Sequence, residues 1–381
     1  MQNQYEFIEK YKLSGRNKRL AEVACRVLEG NVLSVSDGPW HRRCISPGRV
    51  WFEGIWNWDT AFISSAVKYW DPSLAAENIT AFTDFIKPNG MFPDCIRMAG
   101  DSVDYLSKPP VMASAVWKVF EAGGDIDFLK GEYKKLVLNE KFWAENRCDG
   151  GLFFYGADFE GENEINVKFE SGWDNSVRWD KGCGRCFPVD LNCFMAMTYD
   201  SLEKISEVLK DGMSGVWKSK KDRLIALINE KLWDETVGFY MDFDRFDDKF
   251  SGVFAPSGFM PLYIGAADGA RASRCAEIAK DKFFPLMPTV SYDNPEHGTD
   301  YWRGPVWLNT AYFAVSGLKR YGFPIADELS DNILSMCEKN LPGIFELYNS
   351  KTGEGMRCDH FSWSAAFIIK FVLCGEEKPS L

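Results

Sequence analysis

Apolar residues return every three or four positions along most of the chain, and turn residues close the segments they form. This periodicity predicts helices over 17–30, 59–70, 72–87, 109–122, 125–146, 188–210, 215–233, 257–265, 269–280, 305–321, 324–340 and 362–373. Several carry their own punctuation. Asp71-Pro72 reads as an N-cap followed by Pro at the first helical position. Gly123-Gly124 closes the segment that starts at Pro109, and Gly322 closes the one holding TAYFAVSGLKRYG. Alternating patterns are few: LFFYG (152–156) and GFYMDF (238–243) read as short hairpin strands. Strand and helix do not alternate, which argues against a parallel α/β sheet.

About twelve helices in a chain of 381 residues suggest six helical hairpins. One closed solution is six inner helices surrounded by six outer ones: an all-α, (α/α)6 toroid with short β-hairpins in its loops. The absence of a repeat at fixed period argues against a solenoid. No linker rich in Pro, Gly or Ser divides the chain, so residues 1–381 are expected to form one domain.

Composition narrows the function classes. A hydrophobic content of 46% with 15% aromatic residues is ample for a large core, which excludes disorder. The net charge of −11 repels phosphate backbones and anionic lipid, so nucleic acid and membrane surfaces are poor partners. No apolar run reaches the roughly 18 residues of a spanning helix. The start, MQNQYEFIEKYK, lacks the apolar stretch of an export signal. With no such signal, the eleven scattered Cys read as reduced thiols of a cytoplasmic protein. Cys183 and Cys186 form one CxxC with Cys193 nearby, but a zinc site wants a second pair at matching spacing. No metal or cofactor is expected.

The unusual residues lie between the helices. Four loops mix Trp with acids or Arg: VWFEGIWNWDT (50–60), ESGWDNSVRWD (170–180), GTDYWRGPVW (298–307), and ELYNSKTGEG (346–355) with FSW (361–363) after it. A fifth, KPNGMFPD (87–94), is turn-rich and ends in Asp94. A single Trp usually packs in a core, and a single Asp before a helix usually caps it. Asp59 and Asp174 both admit that reading. Four loops repeating one mixture point elsewhere. A sugar presents C–H faces that stack on aromatic rings, and hydroxyls that need charged, directional hydrogen bonds. Trp173 is then expected to serve as an apolar platform that keeps the adjacent Asp174 protonated. Arg178 is expected to organise a neighbouring carboxylate such as Glu170 or Asp180, a structural ion pair outranking substrate contact.

These loops resemble, in order, those of the (α/α)6-barrel glycoside hydrolases that include trehalase, mannosyl-oligosaccharide glucosidase and mannosylglycerate hydrolase. WNWDT is similar to their sugar-binding segment and implies roles for Trp56, Trp58 and Asp59, with Phe52 and Trp363 beside them. ESGWDNSVRW resembles the segment of the general acid, which puts that role on Asp174. DYWRGPVW resembles the substrate-pocket loop, implying Tyr301, Trp302, Arg303 and Trp307. FELYNSKTGEG resembles the segment of the general base, which puts that role on Glu346, with Glu354 as its rival. The chain departs from the pattern at Val177, where the family commonly has Pro, and in SKPPVMASAVW, where Lys108 replaces a Gln. Lys108 precedes the predicted start of an inner helix. There it would bind an anionic leaving group, pair with a nearby Asp, or lie in solvent.

The resemblance implies an inverting α-glycosidase. One carboxyl group protonates the leaving oxygen while the other activates water, about 6.5–9.5 Å away, with no metal. A small α-glucoside is the first expectation for the substrate, and an α-mannoside or glycosylglycerate the second. Sugar epimerases on the same ring use histidines instead. His41, His297 and His360 keep that alternative in view, as does a non-catalytic sugar-binding protein.

Overall fold

The computed structural model describes residues 2–103, 105–157 and 164–374. Among them are fourteen α-helices: α1 (Gln2–Lys10), α2 (Gly15–Gly30), α3 (Asn57–Val67), α4 (Pro72–Thr83), α5 (Met112–Gly123), α6 (Ile126–Asn146), α7 (Glu164–Ser171), α8 (Val189–Leu209), α9 (Ser214–Lys231), α10 (Met260–Tyr263), α11 (Gly269–Ile278), α12 (Leu308–Arg320), α13 (Ile325–Lys339) and α14 (Ser362–Val372). Twelve fall where periodicity predicts them. The other two, α1 and α7, are short and polar.

Burial sorts the twelve into two rings. Every residue of α3 is buried, as are Leu308–Leu318 of α12 and Ser362–Phe371 of α14. A helix buried on all sides must be surrounded by others. By contrast α9 buries only Trp217, Leu224 and Ile228, a single stripe along one face. The inner helices pack in the closed order α3, α5, α8, α10, α12, α14 and back to α3. Outside them α4 backs α3, α6 backs α5, α9 backs α8, α13 backs α12 and α2 backs α14, while α11 packs on strand Phe239–Tyr240. This is the (α/α)6 barrel. The tenth helix is shorter than expected: Pro256–Phe259 forms a 3-10 turn before it, in a stretch interrupted by Pro and Gly.

The predicted punctuation is present. The Asp71 carboxylate accepts from the Leu74 N–H at 2.9 Å ahead of Pro72. Gly124 and Gly322 take left-handed φ of +68° and +76° after α5 and α12. The two expected hairpin strands are paired, Leu152–Phe153 with Cys148–Asp149 and Phe239–Tyr240 with Trp233–Asp234. The sequence pattern does not predict a three-stranded antiparallel sheet near the barrel mouth. This sheet joins Gly54–Trp56, Cys95–Arg97 and Ser102–Val103. No helix among the described residues is long and apolar enough to cross a membrane.

Candidate active site

The loops at one mouth of the barrel enclose a cavity of about 240 Å3. Its wall holds Asp59, Asp94, Lys108, Asp174 and Glu346 among the rings of Phe52, Trp56, Trp58, Phe169, Tyr301, Trp302, Trp307, Phe361 and Trp363, with Gly172.

Local pairing brings these groups together. Trp56 lies opposite Cys95 in the three-stranded sheet, and the Asn57 N–H donates to the Asp94 carbonyl at 2.9 Å. Asp59, in the first turn of α3, is thereby set beside Asp94. Glu346 precedes strand Leu347–Tyr348, and Tyr348 exchanges two backbone hydrogen bonds with Val306, at 2.8 and 3.0 Å. That bridge fixes Glu346 against the loop of Tyr301–Trp307. The Tyr301 hydroxyl donates to Glu346 Oε1 at 2.8 Å. Burial, and then the Glu346 charge, push this phenol far up, so it stays a donor.

Asp174 hangs from a loop fastened at several points. Gly172 has φ +73°, and a Cβ there would lie 2.3 Å from the Trp58 ring. Only glycine lets that indole lie against the turn before the carboxyl. Asn175 donates to Asp300 Oδ2 at 2.8 Å and accepts from the Trp302 N–H at 2.9 Å. Arg303 adds a fork onto Asp180, at 2.7 and 3.0 Å. The loop of Asp174 and the loop of Tyr301 are thus clamped together.

Electrostatics separate the carboxyl groups. Burial raises Asp174 to about 6, against the lowering influence of Lys108, while Asp94 and Glu346 raise it further. Burial lifts Asp59 to about 8, so near neutrality it is a neutral acid that can donate as well as accept a hydrogen bond. Glu346 is also raised by burial, but hydrogen bonds from Tyr301 and the Cys358 backbone hold it back. Burial thus raises both acids, and only Glu346 carries a hydrogen bond from the Tyr301 hydroxyl.

Three expected pocket residues stand outside the wall. Trp173 lies behind it, packed on Trp302 with ring centroids 4.9 Å apart, so its apolar surface supports the wall instead of facing a substrate. Arg178 is sealed between Trp173 and Trp179, 4.5 and 4.3 Å from their ring centroids. Its guanidinium forks onto Asp190 at 2.8 and 2.8 Å and onto Asp242 at 2.8 and 2.9 Å. The ion pair is structural, but its partners are neither Glu170 nor Asp180. Glu170 instead binds Arg147 and the N–H groups of Ser107 and Gly156. Arg303 is spent on Asp180 and Glu296.

Lys108 is buried, not solvated. Its ammonium donates to the Phe169 carbonyl and lies 3.3 Å from Asp94 Oδ1, close enough to pair although not aligned as a hydrogen bond. Asp94, Phe169, Gly172 and Phe361 also line the wall; Gly172 and Phe361 belong to loops the sequence singles out, Asp94 closes the turn-rich one, and Phe169 lies just ahead of ESGWDNSVRWD.

The rival groups lie elsewhere. Glu354 is exposed on a hairpin turn. No lining residue is a histidine. His297 Nε2 meets Ser350 Oγ at 3.0 Å and its Nδ1 meets the Val290 carbonyl, while His360 is exposed beside Asp359. Cys183 and Cys186 donate to the carbonyls of Val167 and Gly182. No cluster of His, Cys, Asp or Glu among the described residues is placed to hold a metal ion.

Known proteins share this architecture. The chain is 26% identical to mannosylglycerate hydrolase from Rubrobacter radiotolerans, covering 90% of this chain and 96% of the relative. It is 27% identical to a mannosylglycerate hydrolase from Thermus thermophilus, covering 82% and 93%. Among solved structures, a GH63 mannosylglycerate hydrolase from a second strain of Thermus thermophilus superposes with a TM-score of 0.79 at 23% identity, covering 91% of this chain and 98% of that one. The neutral trehalase Nth1 of Saccharomyces cerevisiae shares the fold at a TM-score of 0.74 and 17% identity, over 87% and 74%. The family model described as the mannosylglycerate hydrolase MGH1-like glycoside hydrolase domain matches residues 53–364, four-fifths of the chain, and the protein therefore belongs to this family of glycoside hydrolases.

Proposed function

We propose that the protein hydrolyses a small α-mannoside whose leaving group is glycerate or a similar hydroxy acid, with Asp174 as general acid and Glu346 as general base. The observation that carries this reading is the meeting in one aromatic cavity of two buried carboxyl groups, Asp174 and Glu346, the second held by the Tyr301 hydroxyl. Asp174 protonates the glycosidic oxygen. Glu346, held by Tyr301, takes a proton from the water that attacks the anomeric carbon, and the sugar leaves with inverted configuration. Asp59 and the Trp363 indole N–H, which is buried without a partner, suit sugar hydroxyls. Relatives named mannosylglycerate hydrolases support an α-mannoside over the α-glucoside expected first from the sequence.

The test is a panel of α-mannosylglycerate, α-glucosylglycerate and neutral α-linked disaccharides, followed by proton NMR. The expected result is highest kcat/KM on α-mannosylglycerate, with the β-anomer of mannose appearing first. Initial release of the α-anomer would mean retention, with a nucleophile in place of the base. Preference for a neutral disaccharide would overturn the leaving group.

A further inference from the structure

We propose that Arg357 is the specificity residue of the leaving-group side, engaging the carboxylate of an acidic aglycone at the cavity mouth. The proposal rests on the glycosidase reading above and names the part of the site that selects for charge.

The guanidinium carbon of Arg357 lies 5.4 Å from the centroid of the Tyr301 ring, the same tyrosine that lines the cavity and donates to Glu346. The side chain is 56% exposed, which sets it at the rim, where a leaving group emerges, not in the sealed wall. Arg357 itself has φ +67°, a left-handed conformation uncommon for a residue with a side chain. Such conformations persist where the surrounding structure fixes them, and they concentrate at functional sites. Here the next residue, Cys358, is fixed by accepting the Glu346 N–H at 2.8 Å.

The nearby cations differ in how fully they are committed. Arg178 serves two carboxylates and Arg303 serves Asp180 and Glu296. Lys108 is paired with Asp94 and donates to Phe169. Besides the Tyr301 ring, Arg357 has one loose ion pair, 3.5 Å to Asp300 Oδ1, with both side chains more than half exposed. An exposed pair of that kind is weak. The other oxygen of Asp300 is already engaged by Asn175. The fork of N–H donors on Arg357 therefore remains available to a planar carboxylate, which such a fork matches in two parallel hydrogen bonds.

The composition of the cavity favours such a cation. Four carboxyl groups, Asp59, Asp94, Asp174 and Glu346, line it with a single lysine. An anionic aglycone entering that cavity is repelled unless a cation meets it at the rim.

The experiment compares the native enzyme with Arg357→Gln and Arg357→Lys in two measurements. The first is the ratio of kcat/KM for α-mannosylglycerate to that for α-mannosylglycerol, which lacks the carboxylate. The second is calorimetric titration with D-glycerate. Arg357→Gln should lower the acid-to-neutral ratio about tenfold or more and weaken glycerate binding to match, with Arg357→Lys between. Added salt should shrink the difference. An unchanged ratio together with unchanged glycerate affinity overturns the proposal. Should the native enzyme cleave neither glycoside, the substrate reading fails on its own, and the titration still decides. Weaker glycerate binding by Arg357→Gln upholds the rim site, whereas equal binding, or none by either protein, refutes it.

Discussion

Replacing Arg178 by Met tests whether this arginine holds the architecture or touches the substrate. The guanidinium is fully buried, makes four hydrogen bonds of 2.8–2.9 Å to Asp190 and Asp242, and is stacked between two indoles. A neutral thioether fills similar space but leaves two buried carboxylates facing each other without a cation. Breaking a buried ion pair in this way costs about 3–5 kcal/mol. Domains typically hold only about 5–15 kcal/mol of stability, so the loss is a large fraction of the total. The assay is urea unfolding followed by tryptophan fluorescence, with CD as a second probe. A marked fall in the midpoint is expected. Adding Asp190→Asn and Asp242→Asn to Arg178→Met should recover part of it, because no unpaired charge is then buried. In the folded fraction, kcat should fall more than KM rises, since the pair fastens the loop that carries Asp174. A cost below about 1 kcal/mol combined with a defect confined to KM would refute the structural role and return Arg178 to the substrate.

Three further outcomes follow from the geometry. Asp174→Asn and Glu346→Gln should each lower kcat by about 10²–10⁴-fold without changing the CD spectrum, and near-normal turnover in either variant would remove that residue from its role. Because Asp174 must be protonated to act and is raised by burial to about 6, kcat/KM should decline as pH rises through about 6; Lys108→Gln deletes the cation that lowers Asp174 and should move this limb upward, so a limb that stays or moves down contradicts the assignment. Gly172→Ala places a Cβ 2.3 Å from the Trp58 ring at φ +73°, so it should destabilise by more than about 1 kcal/mol and raise KM, whereas native behaviour would show that Trp58 moves aside freely.

The barrel was legible because its helices carry their boundaries in local chemistry. Asp71-Pro72, Gly124 and Gly322 mark starts and stops that need no distant partner. Where distant partners intervene, the expected limits shift. The helix expected from 59 begins at Asn57, whose N–H is held by Asp94, and the one expected from 305 begins at Leu308, because Val306 is engaged with Tyr348. The short elements were invisible for a related reason. Strands of two or three residues, such as Cys95–Arg97, contain no full alternation for a pattern to show. Helix α7, EINVKFES, buries only Val167, Glu170 and Ser171, too few to leave a stripe.

The candidate site was legible as loops but not as faces. Repeated Trp, acid and Arg in four segments identified where the chemistry gathers, yet the pattern gives no sign of which side of a stacked ring meets the cavity. Trp302 and Trp307 are stacked 3.9 Å apart within the wall, while Trp173 lies behind Trp302. Charge is harder still, because a cation is described only by its partners. Lys108 and Arg178 both stand beside motif residues; the sequence suggests an ion pair for Arg178 and leaves Lys108 open, but it does not identify the carboxylate that either meets. Lys108 is neutralised by Asp94, fourteen positions earlier, and Arg178 by Asp242, sixty-four positions later. Arg357 lies between ELYNSKTGEG and FSW, outside both, and its weak hold on Asp300 is what sets it apart. Which cation remains to meet an anion is therefore a property of the closed ring. It depends on which carboxylates the ring brings to each side chain, and local sequence does not contain that information.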